Sequence, residues 1–280
     1  MIIGYTTGVF DMFHIGHLNI LRRAKEQCDF LIVGVSTDEL VQHDKNKTPI
    51  IPFENRCAIV EAIKYVDKVV PQPDKNKLRA WEKYHFNKMF VGSDWKGTDA
   101  WNKFEEQFKP LGVEIVYLDH TDGISSTILR DRLTSDANIS VGGKYLTVGY
   151  TTGVYDMFHI GHLNILKRAK EGCDYLIVGV STDECVYSYK HKTPVVPYEE
   201  RLQIVSAIRY VDEVVPQATM DKVEFLKKRH FDIMFHGDEW KGTELYNHYE
   251  EEFAKYGTRI VYMSHTDGIS STMLRDKIQK

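Results

Sequence analysis

The chain has 280 residues, which suggests two domains at roughly 100–200 residues each. Its 36 basic and 40 acidic residues leave a net charge of −4, which argues against a basic nucleic-acid binder or a polybasic membrane anchor. Apolar residues are 42% and charged ones 27%, as in an ordinary globular chain; no run approaches the roughly 18 apolar residues of a membrane span, and no secretory signal opens the sequence. Cys28, Cys57, Cys173 and Cys185 lie far apart and form no CxxC, so a reduced, cytoplasmic protein is expected, without a disulfide frame or zinc site.

In chain order, IIGYTT reads as an apolar, β-branched strand, and HIGHLNILRRAKEQ as a helix with Ile15, Leu18 and Leu21 at helical spacing. DFLIVGVS is the continuous apolar run of a buried parallel strand. STDELVQHDKNKTP follows that strand, with Lys45 and Lys47 in a loop ahead of Pro49; FENRCAIVEAIKYV reads as an amphipathic helix and DKVVPQ as a short strand. KLRAWEKYH, WNKFEEQF and SSTILRDRL read as helices; KMFVG and VEIVYL read as strands. This alternation implies βαβ units, a mostly parallel sheet with helices on both faces, and ligands beyond the carboxyl ends of the strands.

The pattern then repeats. GYTTGVFDMFHIGHLNIL from Gly4 returns as GYTTGVYDMFHIGHLNIL from Gly149, and the register holds without a gap to Arg130 and Arg275. About 80 of some 130 aligned positions are identical, and a period this long marks a duplicated domain and not a solenoid. The expected domains are residues 1–134 and 145–280, joined by the polar, glycine-containing linker 135–144.

Four strand-end segments carry candidate chemistry. After the first strand, His14 and His17 are three apart with Gly16 between them at a helix start, where free N–H groups favour phosphate. Gly16 admits close approach of a ligand to the backbone; turn capping, and zinc binding with Asp11, are the other readings. After the second strand, Asp38 suits a ribose, a metal or a helix cap, while Lys45 and Lys47 are either solvated or phosphate-binding. Arg56 and Lys64 lie on the following helix, and Lys77 is retained in a scrambled stretch. Asp94 and Trp95 either flank a base or cover the core edge. Before the last helix, Gly123 turns the chain and Ser125, Ser126 and Thr127 stand one turn before Arg130, as a second anion cradle or an ordinary N-cap.

F-D-x-F-H-x-G-H after the first strand, L-I-V-G-V-S-T-D-E, and T-D-G-I-S-S-T before the closing helix resemble the cytidylyltransferase branch of the HxGH nucleotidyltransferases, over nearly all of each half. Within that branch the motifs are similar to those of the enzymes that act on glycerol 3-phosphate. The resemblance implies two tandem Rossmann-like α/β domains, CTP and a phosphorylated alcohol as substrates, Mg2+ as cofactor, CDP-alcohol and pyrophosphate as products, and a homodimer or internal pseudo-dimer. By likeness, His14, His17, His159 and His162, with Arg56, Arg201, Lys47 and Lys192, carry catalysis. The nucleotide falls to Val9, Phe10, Asp11, Gly16, Asp94, Trp95, Thr121, Gly123, Ile124, Ser125, Ser126, Thr127 and Arg130. Their second-copy equivalents are Val154, Tyr155, Asp156, Gly161, Glu239, Trp240, Thr266, Gly268, Ile269, Ser270, Ser271, Thr272 and Arg275. Lys45, Lys77, Lys190 and Lys222 would hold the acceptor phosphate, and Asp11 and Asp156 a metal.

The chain departs from the family at His120 and His265, where arginine is usual, and lacks a tryptophan before Lys77 and Lys222. These departures keep three other readings open: transfer to phosphoethanolamine or phosphocholine, adenylyl transfer, and a non-catalytic nucleotide sensor.

Overall fold

The computed structural model describes residues 1–45, 48–119, 140–141, 144–264, 266 and 268–278. The chain divides into two compact units, Met1–Ile124 and Ser125–Lys280. The expected linker lies largely outside the described residues; within it, β6 (Ser140–Val141) pairs antiparallel with β7 (Lys144–Tyr145).

The first unit runs β1 (Ile3–Gly8), α1 (Ile15–Lys25), β2 (Phe30–Ser36), α2 (Asp38–Lys45), α3 (Phe53–Glu61), β3 (Lys68–Gln72), α4 (Lys77–Tyr84), β4 (Lys88–Gly92), α5 (Asp99–Phe108) and β5 (Glu114–Leu118). All five strands are parallel, in the order β3-β2-β1-β4-β5. The chain fills one side of β1 first and then crosses to the other, so the strand order reverses between β1 and β4. Crevices form at such a reversal, beyond the carboxyl ends of the strands.

Alternation along β2 shows that both faces are covered. Ile32 joins Tyr5, Met89 and Phe86 in a cluster with Ala80, Trp101 and Phe108 of α4 and α5. Leu31 and Val33 point the other way and are equally enclosed, with α1 and α3 against that strand. A strand buried on both faces explains why FLIVGVS is apolar throughout.

The second unit repeats the plan. It runs β8 (Val148–Gly153), α6 (Ile160–Glu171), β9 (Tyr175–Ser181), α7 (Asp183–Lys190), α8 (Tyr198–Ser206), β10 (Glu213–Gln217), α9 (Lys222–Lys228), β11 (Ile233–Gly237), α10 (Glu244–Ala254), β12 (Arg259–Met263) and α11 (Ser271–Ile278). Its parallel sheet has the order β10-β9-β8-β11-β12. The core gathers Tyr150, Ile177, Phe231, Met234 and Phe253.

The short helix that a cap at Asp38 would imply is present, but α2 runs on through Lys45 and α7 through Lys190, where a loop is expected. Thr37 and Thr182 cap them, accepting from Leu40 N and Cys185 N at 3.2 Å, and two acidic residues fill each first turn. The capping residue is thus the threonine before Asp38 and not Asp38 itself, and each helix is too short for an apolar period to stand out.

Candidate active site: paired imidazoles at the strand-order reversal

The loop leaving β1 holds Phe10 (φ 55°) and Met12 (φ 46°) in the left-handed region, and the loop leaving β8 does the same with Tyr155 (55°) and Met157 (47°). Such residues cost of order 1–3 kcal/mol each and persist only where surroundings over-determine them. Here two anchors do so. Asp11 accepts from Ile50 N and Ile51 N, both at 2.9 Å, and Arg56 donates to the carbonyls of Val9 and Ile51. Asp156 and Arg201 make the same bonds to Val195 N, Val196 N and the carbonyls of Val154 and Val196.

This anchored loop delivers its histidines to the start of α1 and α6. His14 is the N-cap of α1, and its Nδ1 accepts from Gly16 N at 3.1 Å. That bond leaves the ring proton on Nε2. The His14 and His17 rings stack with centroids 3.8 Å apart, as do His159 and His162. The close neighbour of Gly16 is therefore the protein's own imidazole: a Cβ there would lie 2.9 Å from His14 Cε1, and on Gly161 3.0 Å from that of His159.

Burial lowers the imidazole pKa values. His17 falls to about 3 through burial and then the neighbouring His14; His159 falls to about 4 through burial, with Asp156 opposing. His162 is pushed well below its ordinary value by burial, His159 and Lys190. These three rings are neutral at pH 7. Nδ1 of His17, His159 and His162 is buried without a hydrogen-bond partner. Phe10 and Tyr155, expected to line the nucleotide, are 4% exposed and back the His17 and His162 rings at 5.2 and 5.3 Å.

Arg56 and Arg201 have fully enclosed side chains, each paired to a carboxylate: Arg56 to Asp38 at 2.6 Å and Arg201 to Asp183 at 2.5 Å. Enclosure gives them the positioning of the histidine loop and not contact with substrate. Asp38, which suits a ribose, a metal or a cap by sequence, and its counterpart Asp183 hold these arginines and accept from Phe53 N and Tyr198 N. The carboxylates expected to bind a metal, Asp11 and Asp156, are likewise engaged on backbone N–H groups, and Arg275 lies 3.3 Å from Asp156. Among the described residues no group of three His, Cys, Asp or Glu side chains is placed to hold a metal ion. The carboxylates present do not fit a protein-built Mg2+ cage.

The second anion loop is described in the second unit, where it meets the histidines. Gly268 turns the chain at φ 80°. Thr266 Oγ1 accepts from Asn164 Nδ2 at 3.0 Å, and Ser270 Oγ from Met273 N at 3.1 Å. Ser271 Oγ donates to the Asp156 carbonyl at 2.8 Å and lies 3.3 Å from His159 Nε2. Ile269 packs beside Gly161, Thr272 is exposed, and Arg275 keeps Nε buried and unpartnered. In the first copy, His120, residues 121–127 and Arg130 lie outside the described residues, as do Lys47, the Lys45 side chain and His265.

Sequence reasoning missed the residues that tie this loop down. Arg168 donates to the Ser264 carbonyl at 2.9 Å, Arg23 to that of Asp119, and Asn164 reaches Thr266. Their signal was retention of RAKE and HLNIL in both copies.

The lysines separate by copy. Lys77 donates to Thr7 Oγ1 at 3.1 Å. Lys222 is 2% exposed over the Tyr249 ring, and burial lowers it to about 8, with Cys185 and Asp221 opposing. Lys190, near enough to His162 to depress it, and Lys192 are exposed. Lys64 lies 5.5 Å over the Tyr65 ring. Trp95 is 53% exposed, whereas Trp240 packs on Tyr246 and His236.

A parallel sheet whose strand order reverses beside stacked imidazoles, present twice, is the arrangement of an α/β nucleotide-binding domain, and in the second copy a hydroxyl-rich helix start joins it. The particular family follows from comparison: the chain belongs to the cytidylyltransferase-like family, whose model matches residues 5–132 and 150–277. A probable ethanolamine-phosphate cytidylyltransferase of Encephalitozoon cuniculi is 33% identical over 82% of this chain and 80% of its own. The ethanolamine-phosphate cytidylyltransferase of Dictyostelium discoideum is 28% identical over 98% of this chain and 89% of its own. The glycerol-3-phosphate cytidylyltransferase of Staphylococcus aureus is 37% identical, over 46% of this chain and 92% of its own.

Proposed function

We propose that this chain transfers CMP from CTP to phosphoethanolamine, giving CDP-ethanolamine and pyrophosphate. The observation that carries the acceptor is extent: the ethanolamine-phosphate enzymes align across the tandem chain, whereas the Staphylococcus glycerol-3-phosphate enzyme aligns over less than half of it. The finding therefore favours the amino alcohol over glycerol 3-phosphate, to which the local motifs first pointed.

The geometry supports in-line transfer without a covalent enzyme intermediate. A phosphate oxygen of the acceptor attacks the α-phosphorus, the bond to the pyrophosphate oxygen breaks, and charge grows on the leaving group. The paired imidazoles present N–H donors at a helix N-terminus, where that charge is stabilised. Because His17 and His162 are neutral before the ligand arrives, each donates one proton-bearing nitrogen and stores no repulsive charge against its partner ring. The Ser270 and Ser271 hydroxyls stand at the start of α11 for the remaining phosphates, and Lys77 or Lys222 faces the acceptor monoester. Mg2+ arriving with the nucleotide would shield phosphate charge.

The test is pyrophosphate release by the intact chain, with CTP or ATP, across phosphoethanolamine, phosphocholine and glycerol 3-phosphate. The highest kcat/KM is expected for CTP with phosphoethanolamine. Turnover with ATP alone, or with glycerol 3-phosphate tenfold above phosphoethanolamine, rejects the proposal.

A further inference from the structure

The two copies share their phosphate-handling parts and part company where β4 and β11 end. Val91 stands at the end of β4; the matching residue of β11 is His236. His236 is mostly buried, its ring 4.8 Å from Tyr246 and 5.8 Å edge-on to Trp240, and its Nδ1 has no hydrogen-bond partner. Burial, and then the charge of Lys222, pushes this imidazole down to about 3, with a backbone hydrogen bond at Gly237 opposing, so the ring is neutral. A buried imidazole nitrogen without a partner is destabilising, a cost a purely structural position would shed by becoming apolar, as in the first copy.

Its neighbours extend the contrast. Lys222 lies over the Tyr249 ring at 5.5 Å and feels Cys185. The first copy has Phe104 and Leu40 at those positions, and Trp101 where the second has Tyr246. The second cleft therefore sets one neutral hydrogen-bonding nitrogen and several aromatic faces beside the lysine assigned to the acceptor phosphate.

We propose that His236 is the acceptor-specificity residue of the second cleft, its imidazole accepting a hydrogen bond from the primary ammonium of an amino-alcohol phosphate. This rests on the cytidylyltransfer proposed above and goes beyond it: the two clefts of one chain differ in acceptor preference, and the second is the selective one. A neutral ring suits a cationic group, which a protonated one would repel, and the partly buried Trp240 ring beside it favours the same cation. Val91 offers an ammonium no acceptor.

The test isolates each cleft in the intact chain. His14→Ala leaves the second cleft acting and His159→Ala the first. The ratio of kcat/KM for phosphoethanolamine to that for glycerol 3-phosphate is expected to be about tenfold higher in the His14→Ala chain. Adding His236→Val to that chain raises the KM for phosphoethanolamine about tenfold and leaves the KM for CTP unchanged, while His236→Gln, which keeps an acceptor, stays within about threefold. Valine already occupies this place in the first copy, so the variant is expected to fold; unchanged thermal unfolding checks it. Equal ratios in the two single-cleft chains, a silent second cleft beside an active first, or an effect of His236→Val on CTP instead of the acceptor overturns this proposal alone. No transfer to any phospho-alcohol overturns the cytidylyltransfer and this proposal with it.

Discussion

The two copies in this chain are alike around the histidine loop and different at the ends of β4 and β11. In both, the imidazoles stack at 3.8 Å, an aspartate clamps two backbone N–H groups, and a buried arginine ties the histidine loop to an aspartate. At the rim the likeness ends. Trp95 is exposed and Lys77 bonds Thr7, whereas Trp240 packs on His236 and Lys222 is buried over Tyr249. An added Cβ on Gly237 would collide with the folded-back Glu239 carboxylate, but Gly92, beside the shorter Asp94, has open space. Duplication has preserved the histidine loop and its anchors and relaxed the ends of β4 and β11.

The likeness is broken most severely by removing the imidazoles. His14→Ala and His159→Ala are each expected to abolish one cleft and leave partial turnover; the double variant loses about 100-fold or more in kcat. Full loss from either single variant would show that the clefts do not act independently. Next is the arginine pin. Arg201→Ala strands the Asp183 carboxylate and is expected to cost about 3–5 kcal/mol in denaturant unfolding, with Arg201→Lys recovering little because a single ammonium cannot span the four separate acceptors the guanidinium reaches. If Arg201→Lys instead keeps stability and loses kcat, the residue is catalytic and not positioning.

Gly161→Ala sharpens the account of the HxGH glycine. The added methyl meets the His159 ring, so a drop in second-cleft kcat of about tenfold is expected, larger than the accompanying loss of stability. A smaller effect separates the copies by pH. His17, His159 and His236 have folded pKa values below their unfolded ones, so the unfolded chain binds protons first and stability is lost as pH falls from about 6.5 toward 4. At pH 5 each contributes a loss of about 2 kcal/mol, and His236→Val is expected to flatten the fall in Tm between pH 7 and pH 5. Smallest is the alkaline limb. Lys222 loses its charge as pH passes about 8, so the acceptor KM of the second cleft is expected to rise there.

Much of this was legible from residues alone. The five strands of each copy were readable because strands buried on both faces are continuous apolar runs, and the duplication because motif and spacing repeat together. The histidine pair was legible as a helix-start feature. What the sequence did not show was which residues look outward. Arg56, Asp38 and Asp11 carry the residue types of a phosphate or metal site, yet they bond to one another's loops. Gly16 suggested room for a ligand, and the room is filled by His14.

The sequence by itself determined the sheet, the doubling and the family, because apolar periodicity and motif order are local properties that survive without coordinates. Only the tertiary structure decided the division of labour among the charged residues. A guanidinium is equally able to grip a substrate phosphate or a backbone carbonyl, and which it does depends on the enclosure that distant segments build around it. The same holds for His236: its type is visible at one position, but its buried, unpartnered nitrogen exists only where α9, α10 and β11 converge.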